Sequence, residues 1–187
     1  MTPDPKLVAA ARAFALPFYA EPGRAYHNAA HVEDMLAALH SRRVLTPELA
    51  LACWGHDLVY DARATDNEER SAVIFDDWLA AQGVRPEVRT RIRAMILATR
   101  HTAAPADREQ ALLVDADLAI LGADAATFDA YDAAIRQEYA HVPGLLYRLG
   151  RREVLRGFLN RERLYTTPEF AGLEAQARDN LRRKLRS

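Results

Sequence analysis

The chain has 187 residues, half of them hydrophobic, which is the size and composition of one globular domain and excludes a disordered or fibrous protein. Its 25 lysines and arginines nearly balance its 26 acidic residues, and a formal net charge of -1 gives no overall field that would attract nucleic acid or an acidic membrane. Only two of the cations are lysines, so a bound phosphate group would have to be held by arginine, histidine, backbone or metal.

Helix-favouring residues dominate the chain, since alanine and leucine supply 59 residues whereas valine and isoleucine supply 15. Helix-start signals stand at Thr46-Pro47-Glu48, at Asp124 and at Thr167-Pro168-Glu169. No run of four or more residues alternates polar and apolar side chains, so we predict an all-α fold with a single domain over 1–187. The helices are expected at about residues 4–20, 28–41, 47–60, 67–82, 86–100, 108–121, 125–140, 144–163 and 168–185.

The cellular compartment can also be predicted from the composition. The single cysteine, Cys53, excludes an internal disulfide and a zinc site of four thiolates, which is typical of a reducing compartment. No window approaches the roughly 18 uncharged apolar residues of a membrane span. We therefore expect a cytoplasmic protein without a membrane partner. The basic residues of 178–186 complement the dipole of a terminal helix, and we expect no nucleic-acid partner from them.

Two histidines, His27 and His31, lie four residues apart in the segment YHNAAH. At the start of a helix this spacing sets both imidazoles on one face, about 5 to 6 Å apart at Cβ, so that both could point into one pocket. A pair of half-exposed histidines, with Asn28 as the helix cap, is the alternative interpretation.

A second group is the dipeptide His56-Asp57, near the end of the otherwise apolar segment LALACWGHDLVY. Burying an imidazole and a carboxylate there would be costly unless the two were hydrogen-bonded or bound to an ion. The alternative interpretation is a histidine–aspartate pair that caps the helix.

Two further carboxylates, Asp115 and Asp117, are embedded among leucine, valine and isoleucine. On a helix, side chains two residues apart point about 200° apart, so at most one of them can face a given pocket. One of the two is then the anionic ligand that the histidines lack. For Asp115, a solvated position at a helix start is the favoured interpretation.

Together these residues resemble the HD-domain metallophosphohydrolases, a superfamily named after the adjacent histidine and aspartate. The segment YHNAAH followed by Asp34 resembles a motif of the cyclic nucleotide phosphodiesterases, and Asp117-Leu118 resembles their distal metal aspartate. The likeness is closer to a bacterial family of small HD-superfamily phosphohydrolases without an agreed substrate. It runs through residues 24–28, 54–60, 66–72, 115–122 and the arginine-rich stretch 148–163. The resemblance implies a single-domain helical bundle of the HD type.

The resemblance also implies a site and an activity. His31, His56, Asp57 and Asp117 would bind one divalent cation, and His27 would donate a proton to the leaving oxygen. Two imidazoles and two carboxylates suit Mn, Fe, Co, Ni or Zn better than Ca. The implied reaction is hydrolysis of a small phosphoester, a nucleotide among the candidates, by metal-activated water, with His27 and Asp57 as catalytic residues.

A departure from the phosphodiesterase pattern concerns a second ion. Those enzymes have another histidine three residues after the aspartate, where this chain has Tyr60. Asp57 could still touch a second ion, whose other ligands would come from Asp61, Glu68 or His101. We therefore predict one tight metal and at most one weak ion, Mg or Mn.

Four residues are expected to contact substrate or to support the metal ligands: Arg24, Glu68, Arg100 and His101. A surface position is the alternative for both arginines, and helix capping is the alternative for Glu68 and His101.

Two other functions stay open. A metal-stabilised HD module could bind a ligand or regulate without turnover, and an HD-type oxygenase would use two irons and additional histidines that this sequence mostly lacks. A homodimer is also open, because an apolar helix face used for pairing has the same pattern as a core face.

Overall fold

The computed structural model describes residues 3–186, and the regular secondary structure of this part of the chain is helical. Within this part no strand forms, so the predicted all-α fold is confirmed. The α-helices are α1 (Pro5–Tyr19), α2 (Ala29–Ser41), α3 (Pro47–Gly55), α4 (Asn67–Ala81), α5 (Pro86–Ala98), α6 (Arg108–Asp117), α7 (Ala125–Glu138), α8 (Gly144–Leu159) and α9 (Glu174–Arg186). Short 3-10 helices cover Leu118–Gly122 and Ala171–Leu173.

Side-chain caps begin several of these helices, because the first amides of a helix have no partner inside it. Thr46 accepts a hydrogen bond from the Leu49 amide at the start of α3, and Asp124 accepts two from the first turn of α7. Both predicted helix starts are therefore confirmed. Asn28 caps α2 through the Ala30 amide as expected, but the alternative of two half-exposed histidines is wrong for His31, which is 4% exposed.

The predicted end of α3 is wrong. We expected a helix to residue 60, but α3 ends at Gly55, so His56 and Asp57 lie just beyond it. The carbonyls of Asp57 and Leu58 accept hydrogen bonds from the guanidinium of Arg24, 2.6 and 2.7 Å away. A side chain from a distant segment thus supplies the donors that a longer helix would have supplied.

The predicted start of the last helix is also wrong. We expected Thr167 to begin it, but α9 starts at Glu174. The amide and hydroxyl of Thr167 donate to the buried carboxylate of Asp115, as does the amide of Thr166. Thr167, the predicted cap residue, thus binds the distant Asp115 instead of the first turn of a helix. The preceding helix, α8, likewise ends at Leu159 and not at 163.

Helix α3 lies at the centre of the fold. All of its residues from Leu49 to Gly55 are buried, and it packs against α1, α2, α4, α5 and α6. A helix that is apolar all round is stable only when it is enclosed on all sides. His56, which follows it directly, is therefore carried into the interior.

Helix α8 is peripheral by contrast. Its main neighbour is α9, and Leu155 is its buried residue. Leu145, Leu146 and Leu149 are each about three-fifths exposed. This outer face is where a homodimer could form, and the homodimer stays a prediction. Among residues 3–186, none of the helices combines the length and the hydrophobicity needed to cross a bilayer.

Gly55 is required by packing around α3. A Cβ atom there would lie 2.5 Å from Cδ1 of Phe75 and 2.9 Å from Cδ1 of Ile96. We expect Gly55→Ala to lower the free energy of unfolding by about 1–3 kcal/mol, because a filled core must shift to accept it. Urea unfolding measures this loss. The control is Gly150→Ala in α8, where a Cβ meets no atom within 4 Å and helix propensity favours alanine. Equal stability of the two variants would contradict the packing argument.

Candidate functional site

Four side chains from three parts of the chain meet at the end of α3. His31 Nε2 lies 3.3 Å from His56 Nε2 and 3.1 Å from Asp117 Oδ1. His56 Nε2 lies 3.1 Å from Asp57 Oδ2 and 3.9 Å from Asp117 Oδ1. All four residues were predicted as metal ligands from the sequence. The fold brings their donor atoms together in the interior, where both histidines are at most 4% exposed.

The spacing of these atoms fits a shared cation. Adjacent ligands about 2.0 to 2.2 Å from one ion stand about 3 to 3.5 Å apart, and most of the distances here fall in that range. His31, His56 and Asp117 form a set whose ligand atoms all lie within 4.8 Å of one another, and Asp57 adjoins this set at His56. His31, His56 and Asp117 could therefore hold one divalent transition metal, and these three residues together with Asp57 are called the HD cluster below.

The tautomer of His56 also suits a ligand. Its Nδ1 lies 2.8 Å from the carbonyl oxygen of Cys53, one turn earlier in α3. A carbonyl can only accept, so Nδ1 carries a proton and donates it. In the neutral ring, Nε2 then carries the lone pair, on the side of His31 and the two carboxylates. A hydrogen bond of this kind on the outer nitrogen is the usual way in which proteins orient a metal-binding histidine.

Arg24 supports the HD cluster by binding the backbone at Asp57. Its side chain is 2% exposed, and besides the carbonyls of Asp57 and Leu58 it reaches the carbonyl of His27 and the carboxylate of Glu21. Because its donors hold backbone carbonyls, the geometry favours support of the ligands, the second of its two expected roles, over contact with substrate. Arg24 fixes the turn that carries Asp57.

The choice between the two α6 carboxylates is decided by their partners. Asp117 directs Oδ1 to His31, whereas Asp115 is fully buried on another side and is bound by Thr166 and Thr167. The expectation that Asp115 is solvated is wrong. As the helical geometry required, the two carboxylates point to different partners, and the loop before α9 supplies the second set.

His101 holds the outer oxygen of Asp117. Its Nε2 lies 2.9 Å from Asp117 Oδ2, and its backbone has a φ of 57°. This left-handed conformation is uncommon for a residue with a Cβ and is found most often where function or packing enforces it. Arg161 donates to the His101 carbonyl at 2.9 Å and so helps to hold the turn. His101 thus supports a ligand, one of the two roles that the sequence suggested.

A carboxylate that sequence analysis missed, Glu138, orients His27. Glu138 Oε2 accepts from His27 Nδ1 at 2.7 Å and from the Tyr60 hydroxyl at 2.9 Å. Its Oε1 accepts the amides of Tyr26 and His27. The Tyr60 ring stacks on His27 with 4.0 Å between centroids. The His27 ring is therefore held by a hydrogen bond at Nδ1 and by the stacked Tyr60 ring on one face.

The carboxylates of the HD cluster favour positive charge on the groups around them. Burial lowers the pKa of His56, but Asp57 and then Asp117 outweigh burial and raise it to about 9. Burial raises the pKa of Asp117, but hydrogen bonds from His101 and His31 hold it well below its usual range. The cluster therefore attracts positive charge, which a proton or a divalent cation can supply.

His27 is biased toward its protonated form. Burial lowers the pKa of His27, but the hydrogen bond to Glu138 and the charge of Asp57 raise it overall. The same contact lowers the pKa of Glu138 against the effect of burial. A histidine that is biased toward protonation and lies beside a cavity has the chemistry of a general acid.

Asp117 of the HD cluster and His27 line the same cavity, which has a volume of about 550 Å³. It is also lined by three of the residues expected at the substrate, Glu68, Arg100 and His101. Burial raises the pKa of the Glu68 carboxyl, and Arg100 pairs with Glu69 at the rim. Arg24 is not among the lining residues.

The ligands suggested for a second ion do not form a second cluster with one another. His101 is bound to Asp117, and Asp61 lies at an exposed turn with Asn67 and Arg63. Glu68 faces the cavity. The weak second ion stays a prediction.

Comparison of the chain with protein-family models, with curated proteins and with solved structures gives no match. The resemblance to HD-domain enzymes therefore stays a prediction, and the geometry described above carries the functional argument.

If the HD cluster binds a cation, the cation will stabilise the fold, because the ligands join α2, α6 and the end of α3. At about 100 times the Kd, Mn²⁺, Co²⁺ or Zn²⁺ should raise the free energy of unfolding by about 2.7 kcal/mol. Thermal unfolding with and without the ion measures this. Asp117→Asn should abolish the shift.

The matched control for that experiment is Asp115→Asn, the same substitution two residues earlier in α6. It should lower the unfolding temperature, because Thr166 and Thr167 lose a charged acceptor, but the shift with metal should persist. A metal shift that Asp117→Asn retains would contradict the assignment of the cluster.

The contact between Glu138 and His27 yields a separate prediction. Glu138→Gln removes the negative charge that favours the His27 imidazolium, so the pKa of His27 should fall. An NMR titration of the histidine ring protons measures this. Tyr60→Phe is the control, since it removes a neutral hydroxyl and keeps the charge. An unchanged His27 pKa in Glu138→Gln would show that Glu138 does not control this proton.

Proposed function

We propose that the chain is a metal-dependent phosphohydrolase that acts on a small phosphoester. The observation that supports this most is the convergence of His31, His56, Asp57 and Asp117 beside a cavity that also receives His27. Metal ligands and a positioned acid in one cavity are the two components that hydrolysis of a phosphoester requires.

In this proposal the HD cluster holds one divalent cation among Mn, Fe, Co, Ni and Zn. When bound, such a cation supplies the positive charge that lowers the pKa of water and offsets charge on phosphoryl oxygens. The chain's contribution is to keep the ligands in place. Cys53 and His101 orient His56 and Asp117, and Arg24 fixes the turn of Asp57.

His27 donates the proton in this proposal. Nδ1 is committed to Glu138, so the proton available to a leaving oxygen is on Nε2. Glu138 keeps the ring oriented, and the stacked Tyr60 prevents it from turning away. Arg100 and Glu68, both on the cavity wall, are the residues of the expected set that remain for contact with substrate.

The proposed setting is the reducing cytoplasm, with a small molecule as the partner. Cys53 is a free thiol in the core, and burial raises its pKa, so it is chemically protected there. Dimerisation through the outer face of α8 is compatible with this activity but is not required for it.

The experiment is elemental analysis of protein purified without chelator, followed by a hydrolysis panel with Mn, Co or Mg. The panel contains phosphomonoesters, nucleotides and cyclic nucleotides. We expect His27→Ala to keep the metal and to lower turnover about 10²- to 10⁴-fold, the usual contribution of a general acid. His31→Ala and Asp57→Ala should lose both metal and turnover.

His40→Ala is the matched control, because His40 is an exposed histidine at the other end of the helix that carries His31. It should change neither metal content nor rate. Bound metal without turnover on any ester would reject hydrolysis in favour of a binding or regulatory module. Two irons per chain with oxygen consumption would instead indicate the HD-type oxygenase.

A further inference from the structure

One wall of the active-site cavity is aromatic and is contributed mainly by α7 and α8. Tyr147, Arg151, Val154 and Phe158 all line the cavity, and their spacing of four, three and four residues sets them on one face of α8. This helix contributes little to the core, as Leu155 is its buried residue. Its inner face therefore serves the cavity more than the packing of the fold.

The aromatic wall is continuous with the HD cluster. The Tyr26 ring lies 4.7 Å from the ring of His31 and 4.6 Å from the ring of Tyr131 on α7. Arg151 Cζ lies 5.2 Å from the Tyr131 ring centre. A chain of ring contacts thus leads from a metal ligand to the guanidinium of α8. The cavity's size, about 550 Å³, is within the usual range for a small-molecule site.

Two residues of this wall, which also border a second cavity of about 530 Å³, each have a buried polar atom without a hydrogen-bond partner: the hydroxyl oxygen of Tyr147 and Nη2 of Arg151. Such atoms are rare because each costs free energy unless something satisfies it. Arg151 cannot simply turn away, since its Nε donates to Asp132 Oδ1 at 2.9 Å. The guanidinium can only donate and the hydroxyl can donate or accept, so a hydrogen-bond acceptor would satisfy both atoms.

We propose that this wall, formed by Tyr131, Tyr147, Arg151 and Phe158, is a subsite for the part of the substrate that is not phosphate. The group that fits is a planar heteroaromatic ring with acceptor atoms at its edge, such as a nucleobase. The rings supply faces for stacking, and Tyr147 and Arg151 donate to the acceptors. The inference rests on the proposed function only for the statement that the bound molecule is a phosphoester.

The probes are nucleosides, adenosine and uridine, with ribose as the non-aromatic comparison. Isothermal titration calorimetry on the full chain should detect nucleoside binding at concentrations at which ribose does not bind. Because a nucleoside has no phosphoester, this measurement is independent of hydrolysis.

The variant that tests the subsite most directly is Tyr147→Phe. It should weaken nucleoside binding about threefold to tenfold, the usual worth of one hydrogen bond. The unfolding temperature should stay the same or rise, because the hydroxyl that it removes has no partner in the protein. A merely structural role for Tyr147 would lower stability and leave binding unchanged.

Arg151→Gln should weaken nucleoside binding at least as much. Arg156→Gln is its control, an exposed arginine on the same helix that does not line the cavity. Equal affinity for ribose and nucleosides, or unchanged nucleoside affinity in both Tyr147→Phe and Arg151→Gln, would overturn the proposal.

A kinetic comparison separates failure of the subsite from failure of the proposed function. For nucleoside monophosphates against ribose 5-phosphate, Tyr147→Phe should raise KM for the nucleotides and leave kcat nearly unchanged. Nucleoside binding without hydrolysis of any ester would reject the hydrolase and keep the subsite. Hydrolysis with equal KM for both substrates would reject the subsite and keep the hydrolase.

Discussion

The burial of two imidazoles and two carboxylates around the end of α3 is the constraint on which the site depends. Charged groups in a protein interior are destabilising unless each has an opposite charge and a hydrogen-bond partner. Here His31 and His56 alternate with Asp57 and Asp117 at 3.1 to 3.9 Å. These contacts satisfy the polar groups at the buried end of the apolar α3, and a cation would need the same arrangement.

A surrounding set of contacts keeps these groups from rearranging. The Cys53 carbonyl fixes one nitrogen of His56, and His101 fixes one oxygen of Asp117. Glu138 does the same for His27. Each supporting contact engages one atom of the residue that it orients, namely Nδ1 of His56, Oδ2 of Asp117 and Nδ1 of His27. The site is thus organised before any ligand enters, which reduces the reorganisation that binding or catalysis would require.

The cavity combines two environments with different chemistry. With a cation bound, as proposed, the HD cluster and His27 would form a positively charged end that suits a phosphoryl group, whereas α7 and α8 contribute an aromatic wall. The division follows the fold, because the ligands of the cluster come from the central helices and the aromatic residues from the periphery. An inner face of α8 with Tyr147 and Arg151 is explained better by recognition than by packing, since the helix is otherwise largely exposed.

The sequence by itself determined the helical fold class and several helix starts, and it singled out His31, His56, Asp57 and one of Asp115 and Asp117 as candidate ligands. These are local properties: alanine and leucine favour helix, Thr46 caps the turn that follows it, and buried polar residues stand out against an apolar background. Only the tertiary structure decided that Asp117 and not Asp115 faces the cluster, and that Glu138 lies against His27, 111 residues away along the chain. Such pairings depend on how helices pack, and no spacing within a single helix encodes them.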